Sequence, residues 1–221
     1  LLLWSGTLTA QNPGDILFGL PGIHTVEINF QQAGWWDSLV NNKTLSDQTL
    51  QDVYMSGNVI VDGNTVDSVG VRLKGNASYS HPGTKKPIRL EFDEYRPNQR
   101  YDGLSSLHFN NSAYDPTMLR EKIMNDILRN NGIPAPRCAF ELVYFNNSFV
   151  GVYNMIEHID KKFLDAHFGD DRGNLYKGDP NGTLECYGNT PSLYYSNYEL
   201  KTNETQNDWS GLVNLIDVIN N

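Results

Sequence analysis

The chain has 221 residues and a formal net charge of −9, with 39% hydrophobic, 11% aromatic and 19% charged residues. That is enough for one large domain or two lobes with a sizeable core. The acidic balance, without a long basic run, argues against a general nucleic-acid binder, and no run of about 20 apolar residues is present for a transmembrane helix.

The chain opens Leu1-Leu2-Leu3-Trp4 and continues through small residues to Ala10. Residues 1–10 are expected to be the back end of a signal peptide cut after Ala10; an apolar N-terminal strand is the other reading. Export would make the protein secreted or cell-surface. There Cys138 and Cys186 could form a disulfide, although two lone core cysteines fit as well.

Residues 23–30, IHTVEINF, alternate as a strand. Trp35, Trp36 and Leu39 suit a short helix packed on the core. Residues 58–61 and 68–73 are strands joined through Asp62-Gly63-Asn64, a strong turn signal. Residues 69–92 then read as strand, glycine turn, loop and strand. The first strand carries Arg72 and Lys74, and the turn holds Gly75, Asn76, Ser78 and Tyr79. The second begins at Lys85 and Lys86 and alternates Ile88, Leu90 and Phe92 against Arg89, Glu91 and Asp93. Cations gathered with small hydroxyl and amide groups in an acidic chain suit a compact anion such as phosphate. A solvated hairpin whose lysines protect an edge strand is the plainer alternative.

Residues 104–109 form a short strand, and Asn110, Asn111 and Ser112 lead into the clearest helix. Its expected N-cap is Asp115, with Pro116 at the first position and Gly132 after the end. Leu119, Ile123, Met124, Ile127 and Leu128 share one stripe, with Arg120 within it and Glu121 at its edge. A buried Arg120 would need a carboxylate or a ligand anion, unless it snorkels to water. Residues 138–145 and 149–155 form a hairpin across Asn146-Asn147, followed by Glu157, His158 and Asp160. Residues 161–168 are a short helix closed by Gly169. Residues 173–178 are a strand and turn, 180–196 a loop excursion rich in Gly, Asn and Tyr, and 209–219 a helix. The five histidines are scattered and there is no paired-cysteine motif, so no metal ligands are assigned.

The order of strands, phosphate-sized turn, lysine-bearing strand and helix with Glu121 has the logic of a kinase upper lobe. Several stretches sharpen it: VGVRLKGNASY at 69–79, KKP at 85–87, DPTMLREK at 115–122, PAPR at 134–137, GVY at 151–153 through Glu157, and GNLYK at 173–177. Together they resemble the CotH family, named for a spore-coat protein and regarded as atypical secreted protein kinases. Lys74 stands where the family often has Arg, which would turn a bidentate phosphate contact into a point charge.

The resemblance implies an α+β, protein-kinase-like fold over residues 11–221. An antiparallel-sheet N-lobe with one main helix would be followed by the start of a helical C-lobe, incomplete at its C-terminus. It implies ATP with Mg2+ or another divalent metal, and transfer of the γ-phosphoryl to Ser or Thr of a secreted or surface protein substrate. Lys86 would pair with the phosphates and Glu121 would orient it. Arg72, Lys74, Gly75, Asn76 and Ser78 would line the phosphate turn, Glu157 the hinge beside the adenine, and Arg120 and Lys177 would be pocket cations or braces. The family's metal-binding and hydroxyl-orienting carboxylates are expected beyond Asn221, so this chain is expected to bind nucleotide without transferring phosphate. The alternatives are a surface adhesion module using an aromatic patch from Tyr187 to Tyr198, and a structural coat component.

Overall fold

The computed structural model describes residues 12–19 and 22–221; the expected signal-peptide remnant at 1–10 lies outside the described residues. The chain divides into two units, one ending at His158 and the other spanning Ile159–Asn221.

In the first unit, a short helix α1 (Asp15–Gly19) precedes β1 (Ile23–Asn29), followed by α2 (Trp35–Thr49), β2 (Met55–Val61) and β3 (Asn64–Leu73). After a single-turn helix α3 (Ala77–Ser80) come β4 (Ile88–Glu91), β5 (Ser106–Asn110), α4 (Arg120–Asn130), β6 (Cys138–Phe145) and β7 (Ser148–Ile156). The strands close into a barrel in the order β1-β2-β3-β4-β5-β7-β6. Every neighbouring pair is antiparallel except β1 and β6, which run parallel with Val26 opposite Val143 and close the ring.

Period-2 alternation builds this barrel. Val26 and Ile28, Val59 and Val61, Val69, Val71 and Leu73, Ile88 and Leu90, Leu107 and Phe109, and Tyr153 and Met155 are all buried in one core. The turns that set register are chemically explicit. Asp62 and Gly63 take φ of 47° and 82°, and Asn146 and Asn147 take 44° and 63°, the primed geometry that matches strand twist. At one barrel end Trp35 stacks on Phe30 at 5.1 Å and meets Phe145 at 5.2 Å. The tryptophans are therefore core-packed, as expected, at the start of a helix much longer than anticipated.

Two interior positions, facing each other across β1 and β6, are not apolar: His24 and Glu141. Glu141 is fully buried, and neither carboxylate oxygen has a hydrogen-bond partner among the described residues. It lies opposite His24 in the β1–β6 register, and the His24 Nδ1 is 2.6 Å from Asp62 Oδ2. Burial drives the Glu141 pKa well above the ordinary carboxylate value.

The main helix departs from expectation. It starts at Arg120, because Met118 adopts φ of 59° and interrupts the turn. Asp115 still serves the helix start: its Oδ2 accepts the Arg120 N–H at 2.8 Å, and its Oδ1 accepts the Thr117 N–H at 3.1 Å. Arg120, expected within a buried stripe, is instead 74% exposed, donating to Tyr114 O at 3.3 Å and pairing with Asp115 at 3.6 Å. The helix turns polar residues to the barrel: Lys122 Nζ donates to Cys138 O at 3.2 Å and Asn125 Nδ2 to Cys138 Sγ at 3.2 Å. Ile123, Met124 and Ile127 are each more than half exposed.

The second unit holds α5 (Lys161–Phe168), β8 (Tyr176–Gly178), a 3-10 turn at Pro191–Leu193, β9 (Tyr198–Leu200) and α6 (Ser210–Asn220). Asp160 caps α5 by accepting the Lys162 and Phe163 N–H groups at 2.9 and 3.0 Å, and Gly169 closes it at φ 67°. β8 and β9 pair antiparallel. Tyr194, Tyr198, Trp209, Leu212, Val213 and Ile216 form this unit's core. Half of the supposed aromatic patch is thus interior: Tyr194 and Tyr198 are buried, while Tyr187 and Tyr195 remain partly exposed. Cys138 and Cys186 are free thiols, the first buried and the second exposed. The chain is α+β. Among the described residues no helix is long and apolar enough to cross a membrane.

Candidate functional site

The outward-facing residues of β3, β4 and β5 form one surface. Arg72 lies opposite Arg89, and Arg89 opposite His108. Asp52 bridges the two guanidiniums at 2.9 and 3.2 Å, and Glu91 holds Arg89 at 2.6 Å. Both guanidiniums lie over the Tyr54 ring, 5.7 and 6.0 Å from its centroid. Burial raises the Tyr54 phenol pKa, so the ring stays neutral. His108 stacks on His158 at 4.3 Å. Burial first, and then the charges of Lys74, His158, Arg89 and Arg72, hold its pKa well below 6.5, so it is a neutral imidazole at pH 7. The nitrogens Arg72 Nε, Arg89 Nε and His108 Nε2 are buried without a hydrogen-bond partner among the described residues.

Beyond this floor, at the ends of β3 and β5, a lysine and a carboxylate meet through an amide. Lys74 Nζ donates to Asn110 Oδ1 at 2.6 Å, and Asn110 Nδ2 donates to Glu121 Oε1 at 2.7 Å. Lys74 is the residue just after β3, β5 supplies Asn110 and the first turn of α4 supplies Glu121. Each bond involves a charged partner and is worth about 1.5–3 kcal/mol in such a setting. The next residue, Asn111, is buried and donates to Ser78 O at 3.1 Å and Lys85 O at 2.8 Å. It fastens the glycine turn to the strand that follows.

Gly75 is required in that turn. Its φ is 82°, and a Cβ there would sit 2.5 Å from Ser78 Oγ. Tyr114 Oη donates to Ala77 O at 3.0 Å. The corner therefore gathers Lys74, Lys85 and Lys86 around Gly75, Asn76 and Ser78, with Glu121 as the carboxylate at the end of the Lys74–Asn110 hydrogen-bond chain.

The expected Lys86–Glu121 pair is replaced. Lys86 Nζ donates to Tyr79 O and His81 O, both at 2.7 Å, and lies 5.1 Å from the Tyr79 ring centroid. The lysine joined to Glu121 is Lys74. Strand alternation put Lys86 on the face of Ile88 and Leu90, but β4 begins only at Ile88, so alternation does not extend to it. Glu157 is held by Arg137 at the opposite end of the barrel. Arg137 Nε and Nη2 donate to its two oxygens at 3.0 and 2.6 Å, and Arg137 also reaches Asp15 at 3.1 Å. That makes Glu157 a brace between β7, the start of β6 and α1. Lys177 lies in the second unit, paired with Asp179 and 3.9 Å from Glu199. The structure thus brings together Arg72, Lys74, Gly75, Asn76, Ser78 and Glu121, whereas Lys86 props the turn, and Arg120, Glu157 and Lys177 are engaged elsewhere.

Sequence reasoning missed Asn110, Asn111, Arg89 and His108. Alternation against Ile88, Leu90, Leu107 and Phe109 already puts Arg89 and His108 on the Arg72 face; the two asparagines carry no periodic signal.

The family description "CotH kinase protein" matches residues 71–221, more than half of the chain. The chain belongs to the CotH family. A relative is the inner spore coat protein H of Bacillus subtilis (strain 168), 26% identical over 129 residues that cover 57% of this chain and 35% of that protein. The aligned part spans about a third of that relative's length. The CotH match takes in β4 to α6 and the end of β3, and so contains the whole Lys74–Asn110–Glu121 chain.

Proposed function

We propose that this chain carries the nucleotide-phosphate-binding part of a CotH-type protein kinase. In the whole protein it would serve transfer of the ATP γ-phosphoryl to Ser or Thr of a secreted or surface protein. The name of the spore-coat relative favours a coat or surface location. The observation that carries the reading is the Lys74–Asn110–Glu121 chain beside the Gly75 turn. A lysine at a strand end, linked through an amide to a helix glutamate next to a glycine turn, is similar to the lysine–glutamate pair that kinases use to hold phosphates. The surrounding β-sheet face and α4 would then correspond to a kinase upper lobe.

The chemistry asked of these residues is positioning and charge neutralisation. Lys74, fixed by Asn110, would meet a phosphate oxygen. The Gly75–Ser78 backbone, pinned by Asn111 and Tyr114, would lie over the phosphates. The neutral His108, stacked on His158, offers an uncharged ring beside the two arginines. The donors at this corner do not fit a divalent metal site. They are one carboxylate already engaged by Asn110, amides and ammonium groups, and hard cations take several oxygen ligands. Among the described residues no group of three or more His, Cys, Asp or Glu is arranged to hold a metal ion.

The test is ligand-dependent thermal stability. ATP or ADP should raise the melting temperature of the chain in a concentration-dependent way. Lys74→Met and Asn110→Ala should each weaken that binding about 10- to 100-fold, the equivalent of one charge-assisted hydrogen bond. Wild-type chain that shows no shift at millimolar nucleotide contradicts the reading.

A further inference from the structure

Three lysines surround the glycine turn, and two of them have oxygen partners within the protein. Lys86 gives its ammonium to two backbone carbonyls, and Lys74 reaches Asn110. Lys85 differs. Its ammonium meets the Met118 thioether sulfur at 3.9 Å and lies 5.1 Å from the Tyr153 ring centroid. No ion pair joins it to a carboxylate among the described residues. A thioether and a ring face are weak partners for a cation. Burial lowers its pKa below the ordinary lysine value.

The placement of Lys85 is built. Its stem lies along Gly151, where a Cβ would come within 3.2 Å of Lys85 Cδ and Cε. Any larger residue at 151 would push the lysine away. Its backbone is fixed on both sides: Asn111 Nδ2 donates to Lys85 O at 2.8 Å, and Tyr153 Oη donates to Lys86 O at 3.0 Å. Asn111 also holds Ser78 O, so the same side chain ties Lys85 to the phosphate turn. The side chain is thus half-buried and braced along its length, with a poorly compensated charge at its tip.

We infer that Lys85 is a second lysine, beside Lys74, that receives the anion at this turn, a phosphate or polyphosphate group, while Lys86 holds the turn's shape. This rests on the phosphate-binding reading of the same corner. An anion on Lys85 would supply the counter-charge that the folded chain lacks there. It would also place the ligand between the turn and the loop that leads into α4.

The test is trace acetylation of the folded wild-type chain with acetic anhydride, each lysine's rate being read by peptide mass spectrometry. Inorganic pyrophosphate is the probe. At about ten times its dissociation constant, pyrophosphate should slow Lys85 about tenfold while leaving Lys86 unchanged, since protection follows the bound fraction. In support, Gly151→Ala should reduce the protection of Lys85 without removing a charge. Slowing at Lys74 or Lys86 with Lys85 unchanged overturns the inference and leaves a phosphate site at the corner. Slowing at no lysine overturns both the inference and the phosphate-binding reading.

Discussion

At the residue scale, Asn110 and Glu141 show two fates of a polar group set into a barrel wall. Asn110 points outward and joins a cation to a carboxylate. Glu141 points inward, opposite the buried His24, and neither of its oxygens has a hydrogen-bond partner among the described residues. Its folded-state pKa is raised, so the native chain holds a proton that the unfolded chain releases. The resulting penalty is absent at low pH and grows as pH rises past 4.5, the ordinary value for this carboxyl. Glu141→Gln should therefore stabilise the chain at pH 7, with the gain fading toward pH 4; denaturant titrations at both pH values would measure it. A destabilised variant at pH 7 would mean that Glu141 is ionised and paired. His108 has the opposite sign. Its pKa is lowered, so its contribution is present above 6.5 and is lost as pH falls below that value. His108→Gln should flatten the stability profile between about pH 7 and 5; an unchanged profile would contradict its burial as a neutral ring. The Arg72 face was legible in the alternation of β3, β4 and β5. Asn110 was not, because an amide at a strand end has many equivalent uses.

At the element scale, the hairpins were legible because their turns are chemically forced. Asp62-Gly63 and Asn146-Asn147 are residues that tolerate positive φ, and both turns adopt it. α4 was legible as a helix but not in its facing. A 3.6-residue period shows that an apolar stripe exists, not which surface it meets. Here Lys122 and Asn125 contact β6, and the stripe lies outward. Ile123→Lys, Met124→Lys and Ile127→Lys should accordingly each change the stability of this chain by less than about 0.5 kcal/mol. Leu90→Ala, inside the barrel, should cost about 2–5 kcal/mol. Chemical denaturation separates the two groups, and a loss above about 2 kcal/mol at Ile123 would show that the stripe is covered.

At the scale of the whole molecule, the α+β class was legible and barrel closure was not. The parallel β1–β6 pairing joins residues more than a hundred positions apart, and period-2 patterning does not name a strand's neighbour. Closure matters for the site because it gives β3, β4 and β5 two differently used faces. Mostly apolar side chains fill the inside, leaving the outside free to carry Arg72, Arg89, His108 and the lysine–amide–carboxylate chain. Cations met around one turn in the sequence are thereby separated: Lys74 reaches Asn110, Lys85 meets the Met118 sulfur, and Lys86 props the turn through two backbone carbonyls.

Amide hydrogen exchange of the chain with and without ATP tests the central claim, nucleotide-phosphate binding at the Gly75 turn, most directly. Slowed exchange confined to residues 74–78 and 110–112, and absent in Lys74→Met, is the predicted result. Unchanged exchange in these segments at saturating ATP, or slowing only within Ile159–Asn221, would contradict it.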